Sequence, residues 1–317
     1  MRDKTIIIAG PTATRKTELA FEIAKHSPST IINADSMQVY NDLRLLTNRP
    51  SKRKLDKFSC KLFAVLDPPN TSSLGWWAQN AINEINNSIK SRRNPILVGG
   101  TGMYLNSLQN EISFIPTLPK RHRRKILEIH QKKGNSFFSN KLRVVDPETH
   151  KKINMNDTQR IIRAIEVKVC TGRSLSFWHK KSQLNKTNNN LFVVITENRD
   201  QLYKNIDKRF SEMIERNVLN EVEQFLEKKI NTDHPIYKTI GLRHLKSYLE
   251  GEINLDQAVN MCQKDTRNYA KRQITWFKNQ PSNAYYLEYN KARDFILDKL
   301  MNQKKKKMKN LMFKKNN

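Results

Sequence analysis

One junction near the amino terminus constrains this chain more than any other feature. The apolar run Thr5–Ala9 passes without a linker into Gly10-Pro11-Thr12-Ala13-Thr14-Arg15-Lys16-Thr17 and then into the helix-periodic run Glu18–Lys25. Strand, glycine turn and helix in that order frame a phosphate loop. In such a loop the backbone N–H groups and the helix N-terminus converge on a diphosphate, Lys16 adds a positive charge, and the Thr17 hydroxyl can ligate Mg²⁺. The general pattern GxxxxGK[ST] asks for glycine where this chain has Arg15, because the backbone must turn sharply there and come close to the phosphate. Two readings stay open at that residue. Either the junction has lost phosphate binding, or the loop works with the Arg15 side chain turned outward or itself near the diphosphate.

Further short apolar runs at Thr30–Asn33, Leu62–Leu66 and Pro95–Val98 alternate with polar or helix-periodic sequence, as buried parallel strands with helical crossovers do. From about Pro119 the texture changes to charged helical stretches, Lys120–Lys133, Thr158–Cys170 and Ser174–Gln183, before another strand-like run at Leu191–Ile195. Leu202, Ile206, Phe210, Met213 and Ile214 then fall at helical spacing, and Leu255–Phe277 repeats the pattern. The expected fold is α/β, a phosphate-loop-type parallel sheet flanked by helices and carrying an inserted α-helical domain. Residues 1–118 and 189–302 form the two parts of the core, 119–188 the insertion, and the Lys-rich stretch 303–317 a basic tail expected to be disordered.

Lys and Arg number 58 against 30 Asp and Glu, a net charge of +28, and such an excess is the footprint of a polyanion binder. A Lys-rich composition with no nucleic-acid role would give the same balance, so charge alone does not choose. Cys60, Cys170 and Cys262 are odd in number and far apart, which suggests neither a disulfide framework nor a zinc site and fits a reducing cytoplasm. No signal-peptide plan and no membrane-spanning apolar stretch is evident. None of the seven histidines has a metal-ligand spacing, so His122, His130 and His179 are read as surface residues. Trp76 and Trp77, followed by Ala78, Ala81 and Ile85, are read as core anchors.

After the second strand, Asn33-Ala34-Asp35-Ser36-Met37-Gln38-Val39-Tyr40 resembles the DSMQVY signature of the tRNA dimethylallyltransferases, and the phosphate loop resembles their GPTASGKT. Collinear matches continue through Val98-Gly99-Gly100-Thr101-Gly102-Met103-Tyr104-Leu105, Gln159–Glu166, Lys238–Arg243 and Thr266–Phe277. Departures are Arg15, Leu46-Thr47-Asn48-Arg49-Pro50 for the usual GTAKP, Cys60-Lys61-Leu62 for an HHL-type segment, and Ile240-Gly241-Leu242 for IGY. The resemblance implies transfer of a dimethylallyl group from dimethylallyl diphosphate to N6 of the adenosine 3′-adjacent to the anticodon, in tRNAs reading codons that begin with U. Diphosphate leaves and N6-isopentenyladenosine forms. It further implies a cytoplasmic monomer whose insertion grips the anticodon stem-loop.

An exocyclic adenine amine must lose a proton as its bond to carbon forms, so a carboxylate is needed as base, and Asp35 at a strand end is the candidate. Inside the phosphate loop, Gly10, Pro11, Thr12, Ala13, Thr14, Arg15, Lys16 and Thr17 would hold the diphosphate, with Mg²⁺ on Thr17. The resemblance adds Thr101 near the bridging oxygen, as a second catalytic residue, and Arg209 on the diphosphate. Asp35 and Thr101 have the plainer alternative of capping a turn or helix, and Arg209 that of a surface ion pair.

Extruded adenine would meet the polar run Asp35, Ser36, Met37 and Gln38 beside Thr101. The resemblance also implies tRNA contact by Arg123, by Gln159, Arg160, Ile161, Ile162 and Arg163, and by Lys238, Thr239, Ile240, Gly241, Leu242 and Arg243. The late block Lys271, Arg272, Gln273, Ile274, Thr275, Trp276, Phe277 and Lys278 completes that surface, with its aromatics inward and its cations toward tRNA. Two other readings remain. One is a phosphate-loop kinase of a small molecule or nucleoside; the other is a descendant of the family that binds tRNA but has lost catalysis.

Overall fold

The structure, a computed structural model, describes residues 5–108, 115–116, 118–181, 190–280 and 283–315, with the side chains of 120 and 303–315 outside the description. Six strands, β1 (Thr5–Ala9), β2 (Ser29–Asn33), β3 (Ser59–Lys61), β4 (Asn94–Gly99), β5 (Asn190–Ile195) and β6 (Ala284–Leu287), form one parallel sheet in the order β3-β2-β4-β1-β5-β6. The helices in chain order are α1 (Lys16–His26), α2 (Lys52–Lys57), α3 (Leu74–Lys90), α4 (Gly102–Ser107), α5 (Lys120–Val145), α6 (Pro147–Lys152), α7 (Thr158–Thr171), α8 (Leu175–Lys181), α9 (Arg199–Glu215), α10 (Val218–Glu227), α11 (Leu242–Leu249), α12 (Leu255–Asn279) and α13 (Tyr289–Lys315). The chain divides into two compact units, Met1–Asn106 with Thr187–Asn317, and Ser107–Lys186.

In the first unit β1 lies between β4 and β5, with Ile6 paired to Ile96 and Leu191 and Ile8 to Val98 and Val193. A strand paired on both edges and covered on both faces has no solvent side, which is why β1 reads as an unbroken apolar run. Ile6 and Ile8 pack in one cluster with Leu19 and Ile23 of α1 and with Ala292 and Ile296 of α13. Burying each isoleucine or leucine of this cluster contributes about 1.5–3 kcal/mol, so the helix after the phosphate loop is anchored firmly by its own core face. Trp77 is fully buried, stacks on Tyr104 with ring centroids 4.4 Å apart, and donates its indole N–H to the Asn33 carbonyl at the end of β2.

The second unit is helical, with a core of Ile126, Phe138 and Leu142 from α5 against Ile161, Ile162 and Ile165 from α7. The helix expected over Lys120–Lys133 ends where Gly134 takes φ 76° and ψ 175°, and α5 resumes beyond that break. The strand expected at Leu62–Leu66 lies elsewhere: β3 is Ser59–Lys61, because Leu62 and Ala64 adopt positive φ and turn the chain out of the sheet. Leu66 meets Tyr40 only as an isolated bridge. The stretch 303–317, expected as a tail without regular structure, begins inside α13; Lys, Met and Leu favour helix by local propensity once a docked first half has nucleated it. Its side chains lie outside the described residues.

Candidate active site

Because β4 sits between β1 and β2, the loops leaving these three strands at their carboxyl ends converge, which is where ligands bind in open parallel sheets. Gly10 follows β1 with φ 143°, and a Cβ there would stand 2.6 Å from the Ile195 carbonyl oxygen. At Gly99 a Cβ would run into the backbone of Ala34, so the chain after β4 can approach the chain after β2 only through glycine. Ala13 and Arg15 have φ 66° and 59°. Arg15 is thus in the left-handed region that glycine fills freely, at a cost of about 1–2 kcal/mol for a side-chain-bearing residue. Its guanidinium does not enter the loop; the carbon at its centre lies 4.4 Å from the centroid of the Tyr289 ring on α13. Of the two poses open from sequence, the structure has the outward one. No side chain caps the N-terminus of α1 at Arg15, leaving the amides of its first turn for an anion.

A cleft of about 450 Å³ opens above these loops and is lined by Thr12, Lys16, Thr17, Asp35, Gly100, Arg209 and Gln273 among others. Lys16 donates to the Pro11 carbonyl at 2.6 Å, and burial lowers its pKa to about 8 despite the opposing pull of Asp35. Arg209, on α9, donates to the Thr12 hydroxyl at 2.9 Å, and burial brings its pKa down to about 10. Burial raises the Asp35 carboxyl above its ordinary value, opposed by backbone N–H donors and by Lys16 and Arg209. Asp35 accepts the Met37 N–H at 2.9 Å and the Gln38 N–H at 3.4 Å, both on Oδ1. It therefore caps a turn and faces the cleft at once. Thr101 accepts the Ser36 N–H at 3.0 Å and is hydrogen-bonded to Tyr269, whose phenol is pushed well up by burial.

Several residues expected to touch tRNA are committed to the fold. Gln273 is buried, accepting the Thr12 N–H at 2.8 Å and donating to the Gly100 carbonyl at 2.8 Å, so it ties the phosphate loop to the second glycine turn. Ile161, Ile162, Leu242 and Phe277 are buried because their spacing puts them on the core face of α7, α11 and α12. Thr239 is buried with its hydroxyl on the Ile236 carbonyl and on Met37 sulfur, and Gly241, φ 92°, starts α11. The Gln38 amide donates to the Thr47 carbonyl at 2.9 Å, which occupies the group expected to read adenine. Ile240, Ile274 and Trp276 are half-buried, whereas Lys238, Arg243, Lys271, Arg272, Thr275 and Lys278 are exposed.

In the second unit the buried carboxylate of Glu166 receives Arg123 at 3.1 Å and Arg163 at 3.0 Å, while both guanidinium-bearing chains stay about half exposed. Gln159 and Arg160 are exposed, and Arg160 pairs with Asp157 at 3.1 Å. Tyr269, Gln273 in its bridging role, and Tyr289 carried no signal in sequence that pointed to the cleft. Tyr269 and Gln273 sit four residues apart on the one face of α12 that turns to the loops, a periodicity that marks burial and not chemistry.

Residues 38–280 match the IPP transferase family, and residues 3–65 match the isopentenyl transferase family. A tRNA dimethylallyltransferase of Pelagibacter ubique is 39% identical over 280 residues, covering 88% of this chain and 90% of its own. One from Wolbachia pipientis of Culex pipiens is 36% identical over 297 residues, covering 93% of this chain and 99% of its own. Among solved structures, the tRNA delta(2)-isopentenylpyrophosphate transferase of Staphylococcus epidermidis superposes with a TM-score of 0.67 at 30% identity, covering 96% of this chain and all of its own. A eukaryotic dimethylallyltransferase acting on tRNA superposes with a TM-score of 0.75 at 25% identity, covering 90% of this chain and 74% of its own. This chain belongs to the tRNA dimethylallyltransferase family.

Proposed function

We propose that this enzyme transfers the dimethylallyl group of dimethylallyl diphosphate to N6 of the adenosine 3′-adjacent to the anticodon, in tRNAs reading codons that begin with U. The observation that carries the reading is the cleft lined together by the Asp35 carboxylate, by Lys16 of the phosphate loop and by Arg209 of α9. Base and leaving-group site then share one cleft, within which a bound donor would meet both. The bond from carbon to the diphosphate oxygen breaks, the N6–carbon bond forms, and the N6 proton passes to Asp35, whose Oδ2 carries none of its backbone hydrogen bonds. Charge gathering on the departing diphosphate is met by Lys16, Arg209 and the amides at the start of α1.

Among the described residues no group of three His, Cys, Asp or Glu side chains is placed to hold a metal ion. Thr17 lines the cleft, and Mg²⁺, which is commonly held by one or two protein oxygens with water and substrate phosphates, would fit there with the Thr17 hydroxyl as its protein oxygen. When bound, it supplies further positive charge at the diphosphate. Exposed Arg123, Arg160 and Arg163 would take phosphates of the anticodon stem-loop. Among the described residues no helix is long and apolar enough to cross a membrane. The reading is of a monomer acting on tRNA in the cytoplasm.

Nucleosides of tRNA from cells lacking their own transferase should contain isopentenyladenosine once this gene is supplied, and not when it encodes Asp35→Ala. Bound tRNA without the modified nucleoside would favour a descendant that only binds. Labelled phosphate passing from ATP to a small acceptor without tRNA would favour a kinase.

A further inference from the structure

Tyr289 opens α13, far in sequence from the phosphate loop, yet its ring lies under the guanidinium of Arg15, with the central carbon 4.4 Å from the ring centroid. The ring is itself fixed: its hydroxyl donates to Glu22 Oε2 at 2.9 Å, and Arg293, one turn later on α13, reaches Glu22 Oε1 at 3.5 Å. Ala292 and Ile296 of the same helix are buried in the core with Leu19 and Ile23 of α1. The platform is thus rigid on the helix that the phosphate loop leads into. Arg15 stands at the second of the two loop positions where the general pattern has glycine, in a left-handed conformation, φ 59°. A side chain there can leave the loop by two routes, outward onto α13 or inward across the amides that face the cleft it also lines.

We infer that Tyr289 is a positioning residue for the diphosphate of the donor: by holding the Arg15 side chain against α13 it keeps a phosphate loop that lacks its second glycine open to its ligand. The inference rests on the donor-diphosphate reading above. It makes Arg15 and Tyr289 a matched pair, in which the ring is needed only because the arginine is present.

The test is a two-by-two cycle of Arg15→Gly and Tyr289→Leu in the full-length enzyme, with Tyr289→Phe as a ring-retaining control. Donor KM and kcat would be measured with saturating tRNA, and binding of inorganic pyrophosphate by calorimetry. Tyr289→Leu should raise donor KM and weaken pyrophosphate binding about five-fold, within the range of a cation–π contact, with kcat changed less than about two-fold. Tyr289→Phe should stay close to wild type, and Tyr289→Leu should have no effect in the Arg15→Gly background. An equal KM rise in both backgrounds, an unchanged KM, or tighter pyrophosphate binding by Tyr289→Leu would each overturn it. If Tyr289→Leu does not fold, Arg15→Gly with Tyr289→Phe still decides, because the loss of donor affinity on Arg15→Gly would show that the arginine itself grips the ligand. Failure of the wild-type enzyme to bind pyrophosphate at all would instead sink the donor reading.

Discussion

Burial moves Lys16 and Asp35 away from their ordinary values in the directions that weaken charge, and the signs fix the pH response. Lys16, brought down to about 8, is an ammonium below that pH and loses its charge as pH rises through it. Asp35, raised above the usual carboxylate value, is a base only above its shifted pKa. kcat/KM, which reports the free enzyme, should therefore be bell-shaped, with an alkaline limb near pH 8 and an acid limb starting higher than an ordinary aspartate would give. In kcat the alkaline limb should move up, because bound diphosphate favours the charged lysine. Lys16→Met should remove the alkaline limb; a limb that survives the substitution belongs to another group. Asp35→Ala should cut turnover by about a hundred-fold or more while tRNA affinity holds, since it deletes a base and not a phosphate contact. An unchanged kcat would leave Asp35 with nothing but its turn.

Helix α12 shows how an element from late in the chain completes a site built at strand ends. Cys262, Thr266, Ala270, Gln273 and Phe277 form its buried face, and that face carries Gln273 between the Thr12 amide and the Gly100 carbonyl. Gln273→Leu keeps the volume but leaves the buried Gly100 carbonyl and the part-buried Thr12 N–H without their partner, which costs about 1–3 kcal/mol for a group that water cannot reach. The melting temperature should fall and donor KM should rise with little change in tRNA affinity, measurable by thermal melts and steady-state kinetics. A large loss of tRNA binding with normal donor KM would restore the RNA contact expected from sequence. Strand ends and glycine turns were legible because their chemistry is local: Gly10, Asp35 and Thr101 each come within three residues of the end of an apolar run. Gln273, Tyr269 and Tyr289 were not, because only the fold brings them there and their spacing signals burial alone. The same limit misplaced Leu62–Leu66, where two left-handed residues override an apolar run, and hid β6, whose four residues Ala284–Leu287 are too few to show a period.

Over the whole molecule the excess of 58 basic over 30 acidic side chains raises affinity for any polyanion, so specificity for one tRNA feature needs cations held in place. Glu166 does this in the helical unit. Its buried carboxylate fixes Arg123 from α5 and Arg163 from α7 side by side, with their outer faces in solvent. Arg160, 73% exposed, pairs among the described residues with its neighbour Asp157 and stands out as a plain charge. These two kinds of cation should separate in a salt titration. Each phosphate contact releases counterions, so Arg160→Ala should weaken tRNA binding and lower the slope of log K against log salt by about one. Glu166→Gln removes no cation; it frees two. Its slope should stay within error of wild type while affinity for tRNA falls about three- to ten-fold, the cost of ordering two long side chains on binding instead of beforehand. Filter-binding isotherms from low to moderate salt would measure both terms. A Glu166→Gln enzyme that binds as tightly as wild type would mean the arginines need no fixed geometry, and a slope unaltered by Arg160→Ala would place that side chain away from the phosphates.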